Sequence, residues 1–506
     1  MLKRSGIFVA LICAVYVAAR LWRLDDTCLW FDEIFSVHAA EHSWNSLFSF
    51  VAQDLIHPPL FYILLKVWIG FGGESVFWLR LLPVAFSVIA IFPFVRFCRE
   101  LKLETPVILL SLGLLAVNGA LIKYTQTVRM YSMLMWMALL SMWLFARYFN
   151  RGKSFIWLVI ANVLLVYTHY FGWLVIGSEV AALLIFQRIK WRRAVAMLGI
   201  AAASFVPWFI AVWQAARHGS DLSQNIGWQA RPGPRELLTF ATDLVEPFYF
   251  QASSAERASI YLVSVPLLVV FAAALIEYSI KWGRKREAGS GAVIALFVLV
   301  PLIIAFGASW LLPHSVWGTR HLIVVFPPMI VLLASAVLGF HLRPVRIGAV
   351  ALIIVLVAYA FVRDATREKP RHVWCAWNDV AEDIKAKVPA GDRPATIYAF
   401  EELVAYHLWF ALRNTDRFRV GFMKGTDVPT DNDAYFLPRG FNGVELGSID
   451  ELRDETMWLA FRTSPPGDKD RLMLEYERRG YSVCQEYQVD SGTTTVHWVE
   501  IGKSCK

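Results

Sequence analysis

Charged residues are scarce in this chain of 506 residues. Only 18 % are charged, 57 % are hydrophobic, and the mean hydropathy is +0.48. Soluble globular proteins have about 25 % charged and about 45–50 % apolar residues. The composition therefore excludes an ordinary soluble protein and predicts an integral membrane protein, whose 21 Trp residues suit two interfacial aromatic belts. The net charge of +8 is explained by basic cytoplasmic loops, and no basic stripe with interleaved aromatics indicates nucleic acid binding.

Other common signatures are also missing. The sequence has no CxxC or Cys/His spacing typical of zinc, no nucleotide-binding glycine motif, no nucleophile elbow and no internal repeat. Only six Cys are present. We expect Cys13, within a span, and Cys98, at a cytoplasmic edge, to be reduced. The other four lie on the predicted outer side, where disulfides form, and Cys484 with Cys505 is a plausible pair: Cys28, Cys375, Cys484 and Cys505.

Long apolar runs dominate what is present. A membrane span needs about 20 mostly apolar residues, and about eleven candidates are found: 6–24, 76–97, 106–122, 130–149, 155–169, 171–187, 195–213, 259–278, 291–312, 321–340 and 347–362. The region 155–187 is predicted either as one long kinked helix or as two short spans meeting at Thr168–Tyr170. The first run carries Lys3 and Arg4 as a signal peptide would, but no small-residue cleavage site follows, so we expect an uncleaved span.

The basic loops alternate and so predict the orientation. Clusters of Lys and Arg near residues 3, 99, 151, 190, 284 and 343 all fall on one side under this count. The positive-inside rule then places the N-terminus in the cytoplasm and the 25–75 loop outside. We expect a transmembrane domain over 1–362 and an extracytoplasmic α/β domain over 363–506, because helical and strand patterns alternate in the tail.

The 25–75 loop holds most of the candidate chemistry. Apolar residues at helical spacing predict two short interfacial helices, over 45–51 and 60–71. Five polar or ionisable side chains accompany them: Asp32, Glu33, His38, Asp54 and His57. Adjacent carboxylates at a membrane border cost free energy unless they are solvated or take part in binding or catalysis.

Each candidate also has a structural interpretation. Asp32 and Glu33 could act as general base and partner group on an acceptor hydroxyl or amine, or Asp32 could simply cap a helix. Asp54 and His57 could face the same cavity or form only a turn before a helix. The remaining outer-face candidates could bind a lipid phosphate, or could only snorkel or pack at helix ends: Lys123, Arg129, Tyr131, His169, Arg320 and His321.

Several motifs resemble one known family. Trp30–Glu33 after the first span and Asp54–Leu60, which reads Asp-Leu-Ile-His-Pro-Pro-Leu, are similar to landmarks of the bacterial branch of the dolichyl-phosphate-mannose–protein mannosyltransferases. The lipid A aminoarabinose transferases are relatives. Supporting matches lie in residues 77–83, 129–131, 168–172 and 320–322, and the likeness runs through roughly residues 1–340.

The resemblance implies a GT-C fold and a sugar transferase of the bacterial inner membrane. It implies a polyprenyl-phosphate sugar donor and transfer with inversion on the outer face. By it, Asp32 matches the catalytic base, Glu33 the neighbouring residue that places a substrate, and Arg129 and Arg320 hold phosphate. The chain lacks an obvious β-trefoil insertion of the eukaryotic members, which argues against a protein acceptor. The sequence does not choose among lipid, cell-envelope glycan and protein as acceptors.

Two questions stay open from sequence. The sequence does not establish a cofactor: a divalent cation could use the oxygen ligands of Asp32, Glu33 and Asp54, but their spacing alone does not prove a site. A transporter or flippase of a lipid-linked glycan is the alternative function, and a non-catalytic scaffold is a third. Clustering of charge at one membrane face and the absence of repeats favour the enzyme over the transporter.

Overall fold

The computed structural model describes most of the chain. The described residues are 2–187, 190–218, 226–227, 229–248, 260–284, 290–366, 373–388, 394–424, 437–438, 441–448, 456–463, 468–490 and 495–505.

The described residues up to 366 are mostly helical. The α-helices there are α1 (Leu2–Leu21), α2 (Phe31–Glu41), α3 (Trp44–Asp54), α4 (Leu60–Gly72), α5 (Val76–Ile89), α6 (Ile91–Glu100), α7 (Thr105–Val117), α8 (Gly119–Thr125), α9 (Tyr131–Arg151), α10 (Phe155–Thr168), α11 (Gly172–Phe186), α12 (Trp191–Arg217), α13 (Pro234–Val245), α14 (Val265–Arg284), α15 (Ser290–Leu311), α16 (Phe326–Leu338) and α17 (Arg343–Thr366). A π-helical turn covers Ile260–Ser264, and a 3₁₀ turn covers His321–Val325.

Capping side chains set several helix starts. Ser43 accepts a hydrogen bond from the backbone N–H of Ser46, and Asn118 accepts one from that of Leu121. Such caps satisfy backbone donors that have no partner within the helix. The short α8 therefore begins sharply after α7, and the turn that follows it carries Arg129.

Seven helices of the described chain are long and apolar enough to cross a membrane. They cover 76–100, 131–151, 191–217, 261–280, 290–311, 321–338 and 343–366. Five shorter apolar helices cover 6–21, 60–72, 105–117, 155–168 and 172–186. The protein is thus a multi-pass membrane protein, and 155–187 forms two helices rather than one kinked helix.

The chain divides into two compact units. The first unit contains residues 1–25 and 39–367, and the second contains 26–38 and 368–506. The segment 26–38, which carries Asp32 and Glu33, is thus grouped with the C-terminal part. The Cys28–Cys375 disulfide also links this segment covalently to the C-terminal part.

The C-terminal unit contains one six-stranded mixed sheet. Its helices are α18 (Val373–Lys387), α19 (Glu402–Leu412) and α20 (Asp468–Glu477), and its strands are β1 (Ala395–Ala399), β2 (Phe418–Lys424), β3 (Val444–Ser448), β4 (Thr456–Thr463), β5 (Ser482–Asp490) and β6 (Thr495–Gly502). The strand order is β3-β2-β1-β4-β6-β5, with β3, β2, β1 and β4 parallel and β6 antiparallel to both its neighbours. In the register, Ile397 lies opposite Val420 on one side and Trp458 on the other.

Apolar side chains cover both sheet faces. Trp377 and Ile384 of α18 pack with Leu408 of α19 against one face. Met473 and Tyr476 of α20 pack against the other. Because adjacent strand residues point to opposite faces, β6 contributes to both clusters. A parallel core with helices on both sides is typical of α/β domains.

Most predicted elements of this tail are present. Strands β2 and β3 were not predicted, because the charged residues of β2 and the two glycines around β3 mask their apolar pattern. A capping-box pattern, Ser448 with Glu451 three residues on, also predicts a helix over 448–454, nearly all of which lies outside the described residues. The predicted Cys484–Cys505 pair is confirmed and closes the β5–β6 hairpin, and Cys13 and Cys98 are free.

Candidate active site

A polar cluster of the first unit is built from helix ends. Asp54 is the last residue of α3, which terminates at Leu55 in a left-handed conformation with φ of 63°. His57 follows in the turn before α4. The Asp54 Oδ2 atom lies 2.9 Å from the His57 Nδ1 atom. In neutral His57 this contact assigns the proton to Nδ1 and leaves Nε2 as an acceptor.

Arg129 lies against the same histidine. Its side chain is 3 % exposed, and its Nη2 atom lies 3.2 Å from Nε2 and 3.4 Å from Nδ1 of His57. Its Nη1 atom donates to the Tyr62 hydroxyl at 3.5 Å. A buried arginine costs free energy unless it is paired, so Asp54, acting through His57, and Tyr62 support its charge.

Two further histidines extend this cluster. The His169 Nδ1 atom, in the turn between α10 and α11, accepts a hydrogen bond from the Phe171 backbone N–H at 3.1 Å. The His169 ring centroid is 5.7 Å from that of His57 and 5.6 Å from that of His321. Burial, reinforced by His57 and by the charge of Arg129, holds the pKa of His169 well below its usual range. His169 is therefore neutral at physiological pH.

Tyr131 joins the histidines to a second charged group. Its ring lies 6.4 Å from both His169 and His321, and 5.4 Å from Tyr124. The Tyr124 side chain in turn interacts electrostatically with Asp243 and Arg320.

The second group combines two cations with a carboxylate. Burial lowers the pKa of Lys123, and the charge of Arg320 acts in the same direction, while Asp243 opposes both. The Asp243 Oδ2 atom also accepts a hydrogen bond from the Thr319 hydroxyl at 2.7 Å. Arg320 acts on His169 as well, so the two groups are electrostatically connected.

The charges of the combined cluster suit an anion. Three cations, Lys123, Arg129 and Arg320, accompany two carboxylates, Asp54 and Asp243, around neutral His169. Guanidinium and ammonium groups bind phosphate through charge-assisted hydrogen bonds, which are roughly twice as strong as neutral ones.

The two adjacent carboxylates belong to the second unit and differ from each other. Glu33 is 1 % exposed, and its Oε2 atom accepts a hydrogen bond from the Trp30 backbone N–H at 3.2 Å. This contact is the glutamate half of a capping box. Asp32 is half-buried in the first turn of α2, and its backbone carbonyl accepts from the Ser36 hydroxyl. The capping role considered for Asp32 thus falls to Glu33.

The first unit brings together most of the candidates from the sequence. Within it lie Asp54, His57, Lys123, Arg129, Tyr131, His169, Arg320 and His321, whereas Asp32 and Glu33 lie in the second unit. Tyr62 and Asp243 were missed. Tyr62 follows the Pro-Pro pair by three residues, which puts it within the first turn of α4, and an Asp near the end of an amphipathic helix was the available signal for Asp243. Among the described residues, no group of three His, Cys, Asp or Glu side chains could hold a metal ion.

Comparison with known proteins identifies the fold. No protein-family model and no curated protein sequence matches the chain. Among solved structures, ArnT from Cupriavidus metallidurans bound to undecaprenyl phosphate is similar, with a TM-score of 0.55 and 13 % identity over 98 % of this chain and 97 % of that one. The same protein in the apo state gives a TM-score of 0.51 at 13 % identity, again over 98 % and 97 %.

A third similar structure is the oligosaccharyltransferase of Archaeoglobus fulgidus in complex with zinc and sulfate. Its TM-score is 0.50 and its identity 13 %, over 82 % of this chain and 62 % of that one. The chain therefore has the GT-C fold, a helical membrane domain followed by a sheet-containing domain. This confirms the fold class that the sequence predicts.

Proposed function

We propose that the protein is a membrane glycosyltransferase that moves a sugar from a polyprenyl-phosphate donor to an acceptor outside the cytoplasm. The observation that carries the proposal is the buried Arg129, held by His57 and Tyr62 within a cluster of three cations and three histidines. A leaving group with a phosphate charge suits this cluster. The GT-C fold and the polyprenyl phosphate in the ArnT structure support a lipid-borne donor.

The proposed reaction is a single displacement. The Asp32 carboxylate takes the proton of an acceptor hydroxyl or amine, whose oxygen or nitrogen forms a bond to the anomeric carbon. The bond from that carbon to the donor phosphate oxygen breaks, and polyprenyl phosphate leaves with the electron pair. One displacement inverts the anomeric configuration.

The proposed roles of the other residues follow from their contacts. Arg129, Arg320 and Lys123 stabilise the charge of the departing phosphate electrostatically. His57, itself held by Asp54, orients Arg129. Glu33 holds the first turn of α2 and so fixes the backbone that carries Asp32. The phosphate is a stable anion, so the reaction needs no acid catalyst.

The test compares wild type with Asp32→Asn and with Asp25→Asn, a control at an exposed carboxylate seven residues earlier in the sequence. Each protein is purified in detergent and incubated with labelled polyprenyl-phosphate sugars and a cell-envelope extract as acceptor source. We expect wild type and the control to release polyprenyl phosphate and Asp32→Asn to release none, with all three proteins folded.

Two outcomes would contradict the proposal. Equal release by wild type and Asp32→Asn would remove Asp32 from the mechanism. In proteoliposomes, transbilayer movement of an intact lipid-linked glycan without release of polyprenyl phosphate would establish the transporter instead.

A further inference from the structure

Residues 26–38, the segment that carries Asp32 and Glu33, are attached at both ends to the rest of the second unit, which is called the α/β unit below. Residues 26–38 belong to that unit, although they lie more than 300 residues away in sequence. Cys28 precedes Asp32 by four residues, and His38 follows it by six. Each of these two flanking residues makes a specific contact with a helix of the α/β unit.

The first attachment is covalent. Cys28 forms a disulfide with Cys375, and the Cys28 backbone N–H also donates to the Cys375 sulfur at 3.1 Å. Cys375 lies in the first turn of α18, whose Trp377 and Ile384 are fully buried against the sheet. The disulfide therefore links the segment to a helix that belongs to the core of the unit.

The second attachment is an aromatic pocket around His38. The His38 Nδ1 atom lies 2.9 Å from the hydroxyl of Tyr406, which is fully buried in α19. The His38 ring centroid is 4.7 Å from that of Trp409 and 5.2 Å from that of Phe441. A Cβ atom at Gly443 would come within 2.5 Å of both Trp409 and Phe441, so glycine is required for the pocket to close.

A third contact lies between the two attachments. The ring of Phe31, the residue before Asp32, meets that of Tyr406 edge-on, with 5.4 Å between centroids. Isolated helices shorter than about 12–15 residues are marginal in water. Helix α2 has only 11 residues, so these tertiary contacts, rather than its intrinsic helicity, determine the backbone position of Asp32.

We propose that the α/β unit positions the catalytic carboxylate of the membrane enzyme, with the Cys28–Cys375 disulfide and the His38–Tyr406 pocket as its positioning elements. The inference rests on the proposed function, because it takes Asp32 as the base. Displacing a reacting group by about 1 Å can cost about 100-fold in rate. Turnover should therefore depend on both attachments, whereas binding of the donor phosphate by Arg129 should not.

The test exploits the two disulfides of the same unit. The variant Cys28→Ser/Cys375→Ser loses the attachment, and Cys484→Ser/Cys505→Ser loses only the β5–β6 link. We expect the first variant to lose about 10- to 100-fold in kcat with an unchanged donor KM. The second should retain wild-type kcat. Normal kcat in the first variant would overturn the proposal.

Reduction of the disulfides provides an independent readout. Under a thiol reductant, Cys484→Ser/Cys505→Ser should lose kcat reversibly, because Cys28–Cys375 is then its only disulfide. Cys28→Ser/Cys375→Ser should not respond. Equal responses of the two variants would contradict the role of Cys28–Cys375.

A third variant keeps the proposal testable if the cysteine variant does not fold. Tyr406→Phe removes the hydroxyl that contacts His38 and leaves both disulfides intact. We expect a several-fold lower kcat at unchanged donor KM. A wild-type kcat would contradict the role of the His38–Tyr406 contact in positioning Asp32. Failure of the proposed function is recognised separately, because Asp32→Asn would then equal wild type, either in turnover or in its absence, whatever these variants do.

Discussion

Two buried polar clusters among the described residues of the first unit, which holds the apolar helices, differ in where they lie along those helices. Ser141, Asn162 and Glu179 meet in the middle of α9, α10 and α11. The Ser141 hydroxyl oxygen lies 2.5 Å from Glu179 Oε1, and the Asn162 amide donates to Glu179 Oε2 at 2.7 Å. The cluster of Arg129 and His57 instead comes from the residues where helices end.

The difference separates a structural role from a chemical one. The mid-helix groups satisfy one another and join three helices, which is what polar side chains do between membrane helices. At the helix ends, Arg129, Lys123 and Arg320 bring charge to a site at the border of the apolar spans. The Glu179 cluster thus serves packing, and by our proposal the Arg129 cluster binds substrate.

The largest expected effect comes from Arg129. Arg129→Gln removes the buried charge that we assign to the donor phosphate, and we expect kcat/KM for the donor to fall about 100-fold, as loss of a charge-assisted hydrogen bond implies. Arg235→Gln, at an exposed arginine of α13, is the matched control and should retain wild-type kcat/KM. Equal kcat/KM values for Arg129→Gln and Arg235→Gln would show that Arg129 has no special role in binding the donor.

Glu179 should affect stability rather than catalysis. Glu179→Ala removes the acceptor of the Asn162 amide N–H and one acceptor of the Ser141 hydroxyl, although Ser141 and Asn162 still contact each other. We therefore expect a loss of about 1–3 kcal/mol in the free energy of unfolding. Glu179→Gln keeps hydrogen-bonding groups there and should lose less. Thermal denaturation in detergent measures this, and kcat per folded molecule should stay at the wild-type value. A large fall in that kcat would show that the Glu179 cluster also contributes to catalysis.

Asp54 should have a smaller kinetic effect than Arg129, because it acts through His57. Asp54→Asn removes the carboxylate that holds the His57 Nδ1 proton, and we expect kcat/KM for the donor to fall roughly tenfold, or about 1.4 kcal/mol. The double variant Asp54→Asn/Arg129→Gln should be no worse than Arg129→Gln alone. Fully multiplicative losses would show that Asp54 acts independently of Arg129.

The smallest expected effect is a pH dependence from His169. Its folded-state pKa lies below the unfolded value of about 6.5, so below that pH the unfolded chain takes up a proton that the folded protein does not. Stability therefore falls as pH falls, by about 1 kcal/mol or less between pH 7.5 and 6.0. His169→Asn offers the Phe171 N–H an oxygen and should flatten this dependence in thermal denaturation. An unchanged pH profile in that variant would show that a group other than His169 causes the pH dependence of stability.

Parts of this site could be predicted because they follow from local sequence. The apolar runs placed the helices, and the short polar stretches between them contained His57, Arg129, His169 and Arg320. Tyr62 and Asp243 lie inside helices instead. Their pattern there does not differ from that of ordinary interfacial residues, so only packing reveals their contacts with Arg129 and Thr319.

Sequence order was least informative about which residues belong to each of the two units. The segment 26–38 is continuous with the first span, so its place beside residues 368–506 depends on contacts between distant parts of the chain. The four outer cysteines indicated disulfides, and the hairpin spacing favoured Cys484 with Cys505, but nothing local joined Cys28 to Cys375.

The sequence by itself determined the membrane class, the positions of most helices and the presence of a separate α/β domain. These properties depend on hydrophobic periodicity and composition, which are local or additive along the chain. Only the tertiary structure decided that Arg129 contacts His57 and Tyr62, and that the Asp32 segment is held by the C-terminal unit. Those contacts depend on how helices and strands pack, and packing joins residues whose separation along the chain leaves no periodic signal.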